Sequence, residues 1–171
     1  MKVLLSLGAN LGDRIAALRA ACECINRLPD TRVLRCSSLY ATDAVEVPGE
    51  QPEYLNCVVE AQSDMPPAML LGACLGIEAS CGRLRKGYKS PRTLDIDMLM
   101  YEAEDGSTVI SSDERVTLPH PRMGGRAFVL IPLSELYPGM IVQGVDLRDA
   151  LRNTLGQRVT RIADASEILP G

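Results

Sequence analysis

The order of hydrophobic periodicities along the chain is the feature that most constrains its fold. Alternating apolar and polar residues predict strands, and apolar residues three and four apart predict helices. The N-terminal part predicts a strand, a helix, two strands, a helix and a strand, at residues 3–7, 13–28, 32–42, 54–62, 66–82 and 93–101. This order is typical of the ferredoxin-like α+β fold, a βαββαβ core in which an antiparallel sheet carries both helices on one face. The two helices leave the other face of the sheet open.

The rest of the chain predicts a C-terminal extension to this core. It consists of a turn, two short strands, two helices and a final strand, at residues 104–107, 108–110, 116–118, 125–136, 147–153 and 158–163. No internal repeat, low-complexity tract or linker interrupts it. We therefore expect residues 1–171 to form a single domain.

Composition and charge narrow the class of protein. Apolar residues make up 46% of the 171 residues, and the net charge of −4 provides no basic field for nucleic acid. The longest charge-free apolar stretch, residues 65–77, is too short to span a bilayer, so we expect no membrane partner. The cysteines form no C-x-x-C pair, which favours small buried thiols over a metal site or disulfides. Together these features predict a soluble cytoplasmic protein.

Two carboxylates lie inside the last strand of the predicted core. Asp95 and Asp97 are two residues apart and therefore share a face with Leu99, whereas the intervening apolar residues and Met100 point towards the helices. Neighbouring carboxylates repel each other and lose hydration when buried, and a divalent cation relieves both costs. Mg²⁺ suits a site with few carboxylates when phosphate oxygens complete its shell. The alternative is a solvated polar face on which Arg92 forms a salt bridge.

A basic loop precedes these aspartates. No acidic residue lies between Glu78 and Asp95, whereas that interval contains the cations Arg83, Arg85, Lys86, Lys89 and Arg92. Its glycines and proline predict a loop. A cationic loop beside a carboxylate pair suits the binding of a polyphosphate. A solvated loop that is merely basic is the alternative.

Aromatic and amide side chains occur on the same predicted face of the sheet. Tyr54 and Asn56 alternate with apolar residues, so a planar heterocycle can stack on Tyr54 and bond to Asn56. The only histidine, His120, lies between two prolines, which restrict its backbone and suit a ligand-facing side chain. The alternatives are an edge tyrosine, an outward asparagine and a histidine without a catalytic role.

Several motifs, in order, resemble those of one enzyme family. They read G-A-N-L-G-D-R at 8–14, Q-P-E-Y-L-N at 51–56, G-R-L-R-K at 82–86, S-P-R-T-L-D-I-D at 90–97 and R-V-T-L-P-H-P-R at 115–122. Nearly end to end, the sequence resembles 6-hydroxymethyl-7,8-dihydropterin pyrophosphokinase, an enzyme of folate biosynthesis. The resemblance implies transfer of a pyrophosphoryl group from ATP to the hydroxymethyl oxygen of the pterin, with release of AMP. It also implies two Mg²⁺ ions and a monomer with a ferredoxin-like fold.

The resemblance further assigns roles to individual residues. The catalytic group it implies consists of Arg83, Arg92, Asp95 and Asp97, of which the two aspartates bind the metal ions. The pterin site it implies contains Thr42, Tyr54, Asn56 and Phe128, with the ring between the two aromatic side chains. The residues it implies for ATP are Glu78, Arg85, Met98, Arg115, Thr117, His120 and Arg126.

Two other functions fit the residues less fully. A Mg²⁺-dependent nucleotidyltransferase or kinase acting on another heterocycle would use the same carboxylates and cations. A ferredoxin-like ligand-binding or regulatory module has no need for a metal pair. The presence of Asp95 and Asp97 together with Arg92 and His120 therefore favours an enzyme.

Overall fold

The computed structural model describes strands and helices in residues 1–43, 52–82, 93–113 and 115–170. The strands are β1 Lys2–Ala9, β2 Thr31–Cys36, β3 Leu39–Thr42, β4 Tyr54–Ser63, β5 Asp95–Glu102, β6 Ser111–Asp113, β7 Val116–Leu118, β8 Ile141–Val142, β9 Val145–Asp146 and β10 Val159–Ala163. The α-helices are α1 Arg14–Asn26, α2 Pro67–Ser80, α3 Ala127–Leu136 and α4 Leu147–Arg152, and short 3-10 turns cover Met123–Gly125 and Ala165–Glu167. None of the helices in these ranges has the length and apolar character needed to cross a membrane.

The main sheet confirms the predicted fold class. Its strands lie in the order β10, β3, β4, β1, β5, and every neighbouring pair is antiparallel. β2 pairs with the second half of β4 and so continues the line of β3. With β2 and β3 counted as one strand, the core has the βαββαβ order, and β10 adds an edge from the C-terminal extension.

The segment predicted as one strand, residues 32–42, is two strands because serine side chains interrupt its pairing. Ser37 Oγ accepts the Val58 N–H over 3.0 Å. Ser38 donates its N–H and its hydroxyl to the Glu135 carboxylate, over 2.9 Å each. Such bonds between side chains and backbone replace the ladder bonds of a sheet. Ser37 keeps one backbone bond to β4, since its N–H donates to Val58 O over 2.9 Å, and regular pairing with β4 resumes at Tyr40.

Helices α1 and α2 pack on one face of the sheet, as the sequence predicts. Alternate strand residues such as Leu5, Leu7 and Cys57 meet Ile25 of α1 and Leu70 of α2, and all of them are fully buried. Burying a large aliphatic side chain stabilises a fold by roughly 1.5–3 kcal/mol. All the cysteines are free, and most are buried, which confirms the prediction of small core thiols.

The C-terminal extension covers part of the other face. Leu4 and Val58 on adjacent strands form a second core with Val129 of α3 and Leu147 of α4. The prediction that this face is left uncovered by the chain is therefore wrong at this end. The reason is that α3 is apolar and buries its side chains against the sheet.

A β-bulge in β5 changes the direction of its last residues. Leu4 lies opposite Met100 and Leu5 lies opposite Met98, so β5 contains one additional residue between them. Met100, predicted to point towards α1 and α2, instead packs against the second core, and Tyr101 enters the first. Strict alternation cannot anticipate an inserted residue.

Two predicted elements of the extension are shifted. Residues 108–110 form no strand, because the residues that pair with β7 are those of β6, Ser111–Asp113. The helix predicted from residue 125 begins at Ala127, because the 3-10 turn Met123–Gly125 comes first. The predictions for α4 and β10 are confirmed to within a residue at each end.

Candidate active site

Strand β1 aligns polar residues of its two neighbours, β4 and β5. Gly8 lies opposite Asn56 of β4 on one side and Asp95 of β5 on the other. Ser6 lies opposite Asp97 one pleat further along. Neighbouring strands are about 4.8 Å apart, so Asn56 and Asp95 are separated by about 10 Å across the sheet. The register confirms that the amide and both aspartates share one face.

Gly8 makes room for the amide of Asn56. A Cβ atom at position 8 would lie 2.9 Å from Asn56 Oδ1, which is closer than side chains approach each other. Asn56 Nδ2 donates to Thr42 Oγ1 over 2.8 Å, and both residues are 4% exposed. The two polar residues predicted to bind the pterin are therefore one buried hydrogen-bonded pair.

The two aromatic residues of the predicted pterin site lie at the beginnings of two elements. Tyr54 is the first residue of β4, opposite Thr42, and Phe128 lies in the first turn of α3. Both are partly buried. Their stacking on either side of a ring stays a prediction.

Arg126 links the carboxylate pair to the second of these rings. Its Nη1 donates to Asp97 Oδ2 over 3.2 Å, and its guanidinium carbon lies 5.4 Å from the centre of the Phe128 ring. The Arg126 side chain is 22% exposed and that of Asp97 is 35% exposed, so solvent screens the pair only in part. The Arg126 guanidinium thus lies between Asp97 and Phe128, and its contact with ATP stays a prediction. The ion pair with Asp97 was not predicted, because no local pattern marks it.

His120 is fixed through both its backbone and its ring. It follows the cis peptide bond Leu118–Pro119, and its N–H donates to Leu99 O over 2.8 Å. Its Nδ1 accepts the Arg122 N–H over 3.1 Å. A neutral ring that accepts at Nδ1 carries its proton on Nε2. The structure thus defines which ring nitrogen can donate to a ligand.

The surroundings of His120 favour the neutral ring. Burial lowers the pKa of His120. The nearby Asp97 carboxylate opposes this shift, whereas the positive charges of Arg126 and Arg122 add to it. The balance leaves the pKa of His120 below the ordinary value of 6.5, so the ring is neutral at about pH 7.

A glutamine from the hairpin of β8 and β9 holds the histidine segment from outside. Gln143 Nε2 donates to His120 O over 3.0 Å and to Pro121 O over 3.1 Å. Its Oε1 lies 2.8 Å from where a Cβ atom on Gly124 would be, so a larger residue there would displace the Gln143 side chain. Sequence analysis missed Gln143, because a contact between a hairpin and a distant loop leaves no local signal.

Two residues predicted to bind ATP lie on the hairpin of β6 and β7. Arg115 Nη2 donates to Asp113 Oδ2 over 2.8 Å, and this bond lowers the pKa of Asp113 to about 2. Thr117 donates to Asp113 O over 3.3 Å. Both side chains are exposed. Their contact with a nucleotide stays a prediction.

Glu78 and Met98, also predicted to bind ATP, are buried on the helix side of β5. Glu78 is 2% exposed and its Oε1 accepts the Ile96 N–H over 2.8 Å. Met98 belongs to the core beneath α1 and α2. Because β5 is an edge strand of the main sheet, Glu78 supplies a partner to a backbone group at that edge. Binding of the nucleotide at this edge stays a prediction.

The turn between β1 and α1 is bonded to the chain that enters β4. Arg14 Nη1 donates to Glu53 O over 2.7 Å, and Asn10 Nδ2 donates to Pro52 O over 3.5 Å. These bonds hold the backbone just before Tyr54. The turn therefore holds the chain that leads into the predicted pterin site, which is a structural role for the G-A-N-L-G-D-R motif.

Three cations predicted to contact the phosphates lie outside the described residues. They are Arg83, Arg85 and Arg92. The two lysines of the basic loop lie outside as well. The binding of a polyphosphate by this loop stays a prediction.

The chain is similar to known proteins along most of its length. The family model 7,8-dihydro-6-hydroxymethylpterin-pyrophosphokinase (HPPK) matches residues 4–138. A 2-amino-4-hydroxy-6-hydroxymethyldihydropteridine pyrophosphokinase from Methylorubrum extorquens is 41% identical over 150 residues, which are 88% of this chain and 91% of that protein. The protein of the same name from Pseudomonas aeruginosa is 37% identical over 139 residues, 81% of this chain and 82% of that protein.

Solved structures share the fold. An HPPK-DHPS in complex with substrates superposes with a TM-score of 0.64 at 12% identity, over 91% of this chain and 44% of that chain. Plasmodium falciparum HPPK-DHPS with pterin and p-hydroxybenzoate gives a TM-score of 0.64 at 14% identity, over 91% of this chain and 43% of that chain. This chain spans less than half of either longer chain, and at such low identity the similarity shows the fold alone.

The family model covers the segments that carry the aligned polar residues, the Arg126–Asp97 pair and His120. The chain therefore belongs to the 7,8-dihydro-6-hydroxymethylpterin pyrophosphokinase family, and it transfers pyrophosphate from ATP to the hydroxymethyl group of 6-hydroxymethyl-7,8-dihydropterin in folate biosynthesis.

Proposed function

We propose that both substrates bind on the sheet face opposite α1 and α2 (the second sheet face), at its polar end. The dihydropterin binds beside Asn56. The ATP phosphates bind, together with Mg²⁺, beside Asp95 and Asp97. The observation that carries this proposal is the row formed by Asn56, Gly8 and Asp95 across three strands. A separation of about 10 Å leaves room for a bicyclic ring at one end and a phosphate chain at the other. The hydroxymethyl group then points from the ring to the phosphates.

The pair formed by Asn56 and Thr42 supports recognition of the pterin edge. A pterin presents amide and amino groups in the plane of its ring, and these groups need partners when they leave water. The buried amide and hydroxyl provide donors and acceptors, oriented by their mutual bond of 2.8 Å. We place the ring between Tyr54 and Phe128, because aromatic side chains bind flat heterocycles by stacking.

The two aspartates fit Mg²⁺ that is shared with a substrate. Within the described ranges, no group of three His, Cys, Asp or Glu side chains is placed to hold a metal ion by protein ligands alone. Mg²⁺ commonly takes one or two carboxylates and completes its shell with water and phosphate oxygens, so Asp95 and Asp97 suffice. Bound Mg²⁺ ions neutralise much of the charge on the phosphates that take part in the transfer.

His120 and Arg126 support binding of the phosphates on the same side. The neutral His120 ring has its proton on Nε2, because Nδ1 accepts the Arg122 N–H. Arg126 brings a permanent positive charge beside Asp97. The pterin hydroxyl oxygen bonds to the β-phosphorus and gives up its proton to solvent. The bond from the β-phosphorus to the oxygen shared with the α-phosphate breaks, and AMP leaves with that oxygen. Fixed cations stabilise the charge that develops on the transferred oxygens.

The remaining predicted contacts belong to this proposal as well. The basic loop in the sequence supports binding of the phosphates by Arg83, Arg85 and Arg92. The contacts with the nucleoside are supported by the family motifs, and they come from Glu78, Met98, Arg115 and Thr117.

We infer that the chain works as a cytoplasmic monomer on small molecules, without a nucleic acid or membrane partner. The net charge of −4 supports this inference, as does the covering of one sheet face and part of the other by helices of the same chain. Light scattering after size exclusion should give a mass near 18.5 kDa. A mass of twice that value would contradict the monomer.

Product analysis tests the proposal. The purified protein is mixed with ATP, Mg²⁺ and 6-hydroxymethyl-7,8-dihydropterin, and the nucleotides are separated over time. We expect AMP only when all three are present, and none after chelation of the metal. Formation of ADP would indicate transfer of a single phosphoryl group and would contradict the placement of the β-phosphorus. AMP formation that persists in excess chelator would contradict the metal site.

A further inference from the structure

We propose that Gln157 is a positioning residue that holds Arg126 in place for the phosphates. Gln157 lies in the C-terminal extension, outside residues 4–138 that the family model matches. The inference rests on the proposed role of Arg126 beside Asp97. It concerns how the arginine is kept in position, which the proposed function does not specify.

The side-chain amide of Gln157 bonds to both chain neighbours of Arg126. Its Nε2 donates to Gly125 O over 2.9 Å, and its Oε1 accepts the Ala127 N–H over 2.9 Å. A carboxamide has one donor and one acceptor on the same planar group, so it can hold a carbonyl and an N–H at once. The backbone of Arg126 is therefore held on both sides by a single side chain.

This arrangement provides a hydrogen-bond partner for a backbone N–H at the start of α3. Arg126 is the N-cap residue, with an extended backbone (φ −116°, ψ 105°), and its own side chain forms no cap bond. The first N–H groups of a helix have no partner within the helix and usually bond to Ser, Thr, Asp or Asn at the N-cap. Gln157 provides that bond from a distant element. The N-cap position is thereby free for an arginine that reaches Asp97 and Phe128.

The backbone of Gln157 is itself held by a hydrogen bond. Its N–H donates to Thr154 O over 2.9 Å. Thr154 is 4% exposed, and its hydroxyl donates to Leu151 O over 2.9 Å at the end of α4. The amide is thus carried by a turn that is hydrogen-bonded to the end of α4, which connects α4 to the position of Arg126.

A double-mutant cycle separates positioning from ordinary helix capping. Gln157→Leu removes both bonds, and we expect kcat/KM for MgATP to fall by about tenfold. In an Arg126→Ala background the same change should cost less than about twofold, because no arginine is left to position. Gln62→Leu is the matched control, since Gln62 is exposed on β4 at the end of the sheet away from Asn56, and its kinetics should equal those of the wild type.

The cycle has distinct outcomes that would overturn the inference. An equal fold loss in both backgrounds would mean that Gln157 does not act through Arg126. Wild-type kinetics of Gln157→Leu beside an impaired Arg126→Ala would overturn the inference and leave the proposed site intact. Wild-type kinetics of Arg126→Ala would overturn the role of Arg126 and the inference with it.

A second variant covers a failure of Gln157→Leu to fold. Gln157→Glu keeps an acceptor for the Ala127 N–H and so keeps the helix cap, but it places a carboxylate against Gly125 O. We expect it to remain folded and to be several-fold lower in kcat/KM for MgATP, again only when Arg126 is present. Full activity of this variant would contradict the need for a bond on both sides of Arg126.

Discussion

At one end of the second sheet face, the core strands contribute apolar residues such as Leu4 and Val58 to a core beneath α3 and α4. Further along the same strands, the same face presents Gly8, Asn56 and Asp95. On β4 the two kinds of environment are one pleat apart. The apolar end fixes the positions of the strands, and the polar end uses that fixed spacing to place an amide and two carboxylates. Core packing and the proposed substrate site therefore occupy successive stretches of the same strands.

The largest effect is expected from Asp97→Asn at the polar end. Loss of one carboxylate removes the proposed metal ligand and the observed partner of Arg126, so kcat should fall by about 10³-fold. The free energy of unfolding should change by less than about 1 kcal/mol, because the ion pair is partly exposed. Steady-state AMP formation and urea unfolding measure the two quantities.

Asp30→Asn is the control for that change. Asp30 is exposed, and its backbone has a positive φ of 49°, which asparagine adopts readily. This variant should retain wild-type kcat. Loss of less than about threefold in Asp97→Asn would contradict a catalytic role for the carboxylate.

A substitution at the apolar end should lower stability and leave kcat nearly unchanged. Leu99 is fully buried in the second core, so Leu99→Ala should lower the free energy of unfolding by about 2–5 kcal/mol. The kcat per folded molecule should stay near that of the wild type at a temperature where the variant is folded. Leu155→Ala is the matched control, because Leu155 is 85% exposed and should change stability by less than about 0.5 kcal/mol. Equal stability of the two variants would contradict the division between the ends.

Gly8→Ala tests the boundary between the two environments. The new Cβ atom would lie 2.9 Å from Asn56 Oδ1 and must displace the amide, so KM for the dihydropterin should rise by about tenfold. KM for MgATP should stay unchanged. Gly139→Ala is the control, since no atom lies within 4 Å of its new Cβ atom. An equal rise in both KM values would mean that Gly8 supports the whole face and not the amide alone.

The smallest effect concerns pH. Burial lowers the pKa of His120 in the folded protein below its value of 6.5 in the unfolded chain. The unfolded chain then binds more protons, so stability is lost as the pH falls from 6.5 towards the folded pKa. His120→Asn should lose less stability than the wild type over this range. Because His120 is the only histidine, the difference between the two unfolding curves reports this group. Parallel curves would contradict the lowered pKa.

Much of the fold and part of the site can be predicted from local patterns. Periodicity gives the order of the core elements, and alternation places Asn56, Asp95 and Asp97 on one face. These properties depend on the spacing of residues along a single strand, which the sequence displays directly. The β-bulge before Met100 and the break at Ser37 could not be predicted, because they depend on one inserted residue and on a side-chain bond to β4.

The features that could not be predicted from the sequence are mostly contacts between distant segments. Nothing local in the sequence shows that α3 covers the second face, that Arg126 pairs with Asp97, or that Gln143 and Gln157 hold the segment between them. Each of these contacts joins elements that meet only after the sheet has formed. They became visible only with the folded structure.

A crystal structure with Mn²⁺, a non-hydrolysable ATP analogue and the dihydropterin tests the central claim most directly. The anomalous signal of Mn²⁺ locates the metal ions without reference to the protein density. We predict metal peaks about 2.1 Å from carboxylate oxygens of Asp95 and Asp97, with the pterin edge on Asn56. Metal ions bound elsewhere, with both aspartates free of metal and phosphate, would contradict the account.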